Sequence, residues 1–178
     1  YTPWWRRTRP TVEPWRGRWH NWRRPAISGA PESPIGKPCM TATVFVDSNI
    51  LVYAHDCQAG AKQQCAAACL REFWQTGCGR VSTQVLQEFY VNVTKKIPAP
   101  LSPGRARELI RNYAPWVYSA ITPTTVVRAS QISETWRLSF WDSMILAAAE
   151  QDGAAELLTE DLRHGQVVAG IRIVNPFV

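Results

Sequence analysis

Residues 43–54 read Thr43-Val44-Phe45-Val46-Asp47-Ser48-Asn49-Ile50-Leu51-Val52-Tyr53-Ala54. The run from Thr43 to Val46 is β-branched and aromatic, and it stops at Asp47, as a short buried strand does. Ile50, Leu51, Tyr53 and Ala54 then suggest a short helix. A strand that ends on a carboxylate and turns straight into a helix is the first unit of an alternating α/β fold, and the rest of the chain continues that alternation.

Working outward, residues 60–75 keep a helical period through Ala61, Cys65, Ala68, Cys69 and Phe73 until Gly77. Gly79-Arg80-Val81-Ser82 reads as a strand. Ser82 or Thr83 then caps a helix to about Lys96, with Val85, Leu86, Phe89, Tyr90 and Val93 as its apolar arc. Ser102-Pro103 opens another helix, a cap followed by proline at the first helical position. Thr124-Thr125-Val126-Val127 predicts a strand and Ala129–Trp136 a helix. Trp141–Gln151 predicts a helix ended by Gly153. Leu157-Leu158-Thr159 and Ile171-Arg172-Ile173-Val174 are the last expected strands. Short strands between helices imply an α/β fold: a three-layer α/β/α sandwich around a mainly parallel sheet.

The charge is divided unevenly. The 178 residues carry 20 Lys and Arg against 14 Asp and Glu. Residues 1–39 hold eight of the basic residues and two of the acidic ones, so residues 40–178 sum to zero. The basic pI therefore belongs to the N-terminal stretch and does not mark the folded part as a nucleic-acid binder. That stretch also holds five of nine tryptophans and seven of thirteen prolines, with no helical or strand period. It is expected to be disordered. Interleaved Arg and Trp would suit bases or an anionic membrane surface. Met40 is the first methionine, however, and the domain-like pattern starts there. The expected organisation is an extraneous tail, 1–39, followed by one domain, 40–178.

No run of 18 apolar residues and no secretory h-region occurs. Five cysteines (Cys39, Cys57, Cys65, Cys69, Cys78) form an odd set without a CxxC pair, which favours reduced thiols and a cytoplasmic protein. Cys65 and Cys69 lie one helical turn apart, but no His or third thiolate has suitable spacing, so they read as small core residues.

The acids carry the chemistry. Asp47 follows the first strand, and Asp161 follows the strand ending at Thr159. Glu88 edges the apolar arc that includes Val85. Asp142 heads a stripe with Ile145, Leu146 and Ala149, so a carboxylate starts a core-facing line. Singly, Asp47 and Asp142 could be helix caps, Glu88 a surface acid and Asp161 a turn residue. Asp47 and Asp161 lie at the carboxyl ends of parallel strands, where open sheets bind ligands, and Asp142 lies in the first turn of a helix. Several carboxylates at one partly buried spot repel one another unless a cation neutralises them. Oxygen ligands without His or thiolate favour Mg²⁺ or Mn²⁺, whose shell is completed by water and phosphate oxygens. Metal-assisted phosphodiester hydrolysis is the natural chemistry.

Residues 43–178 resemble PIN-domain ribonucleases, specifically the VapC-type toxins of bacterial toxin–antitoxin pairs. The resemblance is carried by Val44 to Tyr53, by Val85-Leu86-Gln87-Glu88-Phe89, and by Trp141-Asp142-Ser143-Met144-Ile145. Leu157 to Leu162 and Ile173-Val174-Asn175-Pro176-Phe177 complete it. It implies an endoribonuclease with a metal site of Asp47, Glu88, Asp142 and Asp161. Thr159 matches the family's supporting hydroxyl, and Ser48 and Asn49 match its orienting polar pair. Glu160 is expected to point to the opposite side. A homodimer, an RNA substrate and a cognate antitoxin are implied as partners.

Other readings fit less well. A haloacid-dehalogenase-type phosphotransferase needs a second Asp where Asn49 stands. A P-loop ending at Gly36-Lys37 needs Gly at Pro31, and neither GxGxxG nor GxSxG occurs. His55 and His164 are acid–base candidates only as isolated residues. Lys95, Lys96, Arg105, Arg107, Arg111 and Arg163 are the basic groups available to phosphates. The alternative from a different class is a non-catalytic PIN-like module that binds RNA or a protein.

Overall fold

The computed structural model describes residues 42–178. The expectation for residues 1–39 lies outside this range. The order of elements is β1 (Val44–Val46), α1 (Ser48–His55), α2 (Ala61–Thr76), β2 (Gly79–Arg80), α3 (Thr83–Lys95) and α4 (Pro103–Tyr113). A 3₁₀ turn (Ala114–Trp116) follows, then α5 (Pro123–Trp136), α6 (Phe140–Gln151), β3 (Glu156–Leu158), β4 (Val167–Val168) and β5 (Ile171–Val174).

The five strands lie in the order β2-β1-β3-β5-β4, with all neighbours parallel except the β4–β5 pair. Helices cover the sheet in an α/β/α sandwich. From β1 the chain crosses to β2 on one side and later returns to β3 on the other. Strand order therefore reverses at β1, which opens a crevice beyond the carboxyl ends of β1 and β3. Phe45, Val46, Ile50, Leu51, Val85, Phe89, Leu146, Leu157 and Ile173 are fully enclosed beneath it. Helix α6 is buried at every position from Ser143 to Ala149, so it runs through the core rather than over it.

The expected strand at Thr124–Val127 is instead the first turns of α5. Thr122 accepts from the Thr125 amide while Thr125 answers to the Thr122 amide, and Pro123 occupies the first turn. This capping box outweighs the β-propensity of the run behind it. Two other limits move: α6 starts at Phe140, because Ser139 rather than Asp142 is its cap, and β3 ends at Leu158, before Thr159.

The edge strand β4 was not expected. Val168 pairs with Ile171, leaving Ala169 and Gly170 as a two-residue turn with φ of 50° and 82°. Both positive angles are those of a hairpin turn that matches strand twist, usually built from Asn-Gly.

Candidate active site

Asp47 leaves the end of β1 and is buried at 5 % exposure. It is the N-cap of α1: its Oδ1 accepts from the Ser48 amide at 2.5 Å. Its Oδ2 accepts from the Thr159 hydroxyl at 2.7 Å and the Asn49 side-chain amide at 3.0 Å. The same Asn49 nitrogen lies 3.0 Å from Asp161 Oδ2 and 3.1 Å from Thr159 Oγ1. One amide thus ties the residues after β1 to those after β3. Ser48 reaches the other way, its hydroxyl donating to Glu88 Oε2 at 2.8 Å. Glu88 Oε1 accepts from Gln84, one turn earlier on α3, at 2.9 Å. Gln84 also contacts the Trp141 carbonyl at 3.3 Å, linking α3 to the start of α6. Asp142, in that first turn, accepts from Ser139 Oγ at 2.7 Å through Oδ2.

Burial dominates the electrostatics. It pushes the Asp47 carboxyl up to about 7, and the Asp161 and Glu88 charges add to the rise, while the Thr159 and Ser48 hydrogen bonds oppose it. Asp161 is raised in the same direction, first by desolvation, then by Glu160 and Asp142, against the help of Asn49 and Lys62. Asp47 therefore feels Glu88 and Asp161, and Asp161 feels Asp142. No salt bridge among the described residues involves any of them.

The donor set fits a hard divalent cation. The side chains hydrogen-bonded to these acids, Ser48, Asn49, Gln84, Ser139 and Thr159, are oxygen ligands or neutral donors. Asn49 Oδ1 and Gln84 Oε1 are buried without a hydrogen-bond partner, and such orphaned carbonyls are costly unless water or an ion reaches them. Among the described residues no three His, Cys, Asp or Glu side chains form a ready-made cage. Mg²⁺ rarely has one, since it keeps several waters and takes one or two carboxylates.

The seven residues read from the sequence fall in two hydrogen-bonded groups. Asp47, Ser48, Asn49, Glu88, Thr159 and Asp161 form one, and Asp142 joins only Ser139. Glu160 turns away from them, to the Tyr53 hydroxyl and the Lys62 ammonium. His55 packs edge-on to Phe89 and Tyr113 and bonds the Tyr113 hydroxyl at 2.9 Å. His164 accepts from the Asn175 amide. Cys65 donates to the Pro176 carbonyl, and burial pushes the Cys69 thiol up to about 11, so it stays protonated. Gln84 and Ser139 were missed by the sequence reading. Their spacing, four before Glu88 and three before Asp142, was the available signal. Lys62, whose charge reaches Asp161, had none.

No curated protein matches the chain in sequence. Solved structures match it in fold. A chain of a toxin–antitoxin complex from Klebsiella pneumoniae is 23 % identical with a TM-score of 0.55, covering 76 % of this chain and 98 % of that one. A chain of DNA-bound VapBC from Salmonella typhimurium is 19 % identical with a TM-score of 0.52, covering 75 % and 97 %. A chain of VapBC2 from Rickettsia felis, bound to a DNA fragment from its promoter, is 12 % identical with a TM-score of 0.51, covering 74 % and 96 %. At these identities the likeness is one of fold. The PIN domain family model, in contrast, matches the sequence itself from residue 44 to residue 169, well over half of its length, and the chain therefore belongs to the PIN domain family.

Proposed function

We propose that the chain is a divalent-metal-dependent endoribonuclease that hydrolyses RNA phosphodiester bonds, and that it is the toxin of a toxin–antitoxin pair. What supports the catalytic part is that Asn49 joins Asp47 to Asp161, that none of the four acids is in a salt bridge among the described residues, and that burial pushes Asp47 up to about 7. Such a cluster is stable at neutral pH when a cation enters it. Membership of the PIN family supports the nuclease reading, and the fold likeness to toxin–antitoxin complexes supports an antitoxin partner. A homodimer, a cytoplasmic location and residues 40–178 as the working unit belong to the same proposal. Among the described residues no helix is long and apolar enough to cross a membrane.

In this reading Asp47 and Asp142 hold Mg²⁺ or Mn²⁺, and Glu88 and Asp161 complete the site. The ion, when bound, acidifies a water and offsets charge on the scissile phosphate. The protein's own groups supply order. Ser48 and Gln84 pin both oxygens of Glu88, so its carboxylate enters the site in one orientation. Asn49 and Thr159 hold Asp47 Oδ2 and keep neutral donors, rather than a competing lysine, against it. Asp142 Oδ1 carries no hydrogen bond among the described residues and is free to ligate. Asp161 is the most exposed of the four and also raised, which suits it to take up the proton released as water attacks.

The test is cleavage of a mixed single-stranded and structured RNA pool by the full chain with Mg²⁺, Mn²⁺ or EDTA, beside Asp142→Asn. Metal-dependent cleavage that falls at least about 100-fold in the variant is expected. Cleavage that survives EDTA or the substitution contradicts the assignment. Silence from folded, antitoxin-free protein would favour a non-catalytic PIN-like module.

A further inference from the structure

Trp141 immediately precedes Asp142 in the first turn of α6, and it is 65 % exposed, more than any other described tryptophan. The others have company or cover. Trp74 stacks near Tyr113 and Trp116, Trp116 is buried, and Trp136 is 40 % exposed. Among the described residues Trp141 has one ring contact, Phe140, edge-on at 5.6 Å and 70°. Its carbonyl is held by Gln84, the side chain that also holds Glu88. The main chain carrying this ring is therefore tied to the acid site at two points: through Gln84 to Glu88, and through the next peptide to Asp142.

A metal-loaded acid site attracts the phosphate of any nucleotide alike, and Lys62, whose charge lowers Asp161, is paired with Glu160. A contact that tells a nucleotide from a bare phosphate chain must come from elsewhere. A nucleotide whose phosphate lies at the acids has its base one sugar away, and the exposed indole of the residue before Asp142 offers it a π-face. Base–aromatic stacking works for any base and is undisturbed by nearby carboxylates.

We infer that Trp141 is a positioning residue for the substrate, stacking on an unpaired base next to the phosphate held at the acid site. This deepens the nuclease reading and rests on it. The experiment titrates full-length protein carrying Asp142→Asn, so that RNA is not cut, in Mg²⁺ by fluorescence anisotropy. It compares Trp141, Trp141→Phe and Trp141→Ala, with circular dichroism melts to confirm folding. The probes are a mixed-sequence 12-nucleotide single-stranded RNA and an abasic ribose-phosphate chain of the same length. Trp141→Ala should weaken binding of the RNA roughly 5- to 100-fold, the size of one stack. It should leave the abasic chain unchanged, and Trp141→Phe should stay within about threefold on both. An equal loss on both probes, or no loss on either, overturns the inference, as does a change of oligomeric state in Trp141→Ala. If neither this set nor the protein with Asp142 intact binds RNA in Mg²⁺, the nuclease reading fails with it. Binding indifferent to residue 141 removes the inference alone.

Discussion

At the scale of single residues, two buried groups set opposite pH dependences. Asp47 has its carboxyl pushed up to about 7 from 3.8, so between those values the folded protein binds a proton that the unfolded chain has lost. Metal-free stability from this group therefore falls as pH rises from about 4 to 7, by an amount on the order of a few kcal/mol. His55 is pushed down to about 4, mainly by burial and then by Arg105. Between pH 4 and 6.5 the unfolded chain holds the extra proton, so stability from His55 rises with pH. In EDTA the two slopes offset each other, and the melting temperature should change little from pH 4.5 to 6.5. Asp47→Asn keeps a good N-cap and removes the falling slope, so its melting temperature should climb over that range. A variant with the same pH profile as the wild type would show that Asp47 is not a raised group. The acids stand out in the sequence because they break patterns: a charge ending a strand, a charge heading an apolar stripe. Gln84 and Ser139 broke none, and only contacts made after folding give them a role.

At the scale of elements, the structure shows where local signals compete. The start of α5 pits a β-branched run against a cap, and the cap decides. Thr122→Ala, which removes that cap's hydroxyl, should cost about 1 kcal/mol and lower the melting temperature by a few degrees. The β4–β5 hairpin escaped the sequence reading for a related reason. Ala169-Gly170 has no asparagine or aspartate to announce a turn with two positive φ angles, and Val167–Val168 is too short to show alternation. Ala169→Asn would give the turn its usual residue and should raise stability by about 0.5–1 kcal/mol, read in urea denaturation. No gain would mean the turn relaxes without strain. At Gly79 the requirement is space: a Cβ there would meet the Trp116 ring at 3.0 Å. Gly79→Ala should destabilise β2 and the helix behind it by about 1–3 kcal/mol, whereas an unchanged midpoint would show that Trp116 can yield.

At the scale of the molecule, the alternation of strands and helices was enough to give the sandwich, and the reversal of strand order at β1 explains why Asp47 and Asp161, far apart in sequence, come to share the Asn49 amide. The crossing that joins Asp47 to Thr159 and Asp161 is a property of topology, so no local pattern in the chain could display it. The separation of charge belongs to this scale too. Because residues 40–178 sum to zero, deleting residues 1–39 should leave metal-dependent cleavage intact while flattening the salt dependence of RNA binding, since basic residues that release counterions are lost. A truncated protein that no longer cleaves RNA would make the N-terminal stretch part of the enzyme.

The central claim is that the acid crevice holds a divalent cation, and Mn²⁺ binding measured by electron paramagnetic resonance tests it most directly. The full chain should bind Mn²⁺ at pH 8, release it to EDTA, and lose roughly tenfold in affinity per pH unit below about 7, as Asp47 takes up its proton. Asp47→Asn should abolish that binding while the protein stays folded. Mn²⁺ affinity equal in the wild type and Asp47→Asn, or no binding by the wild type at pH 8, would contradict the account.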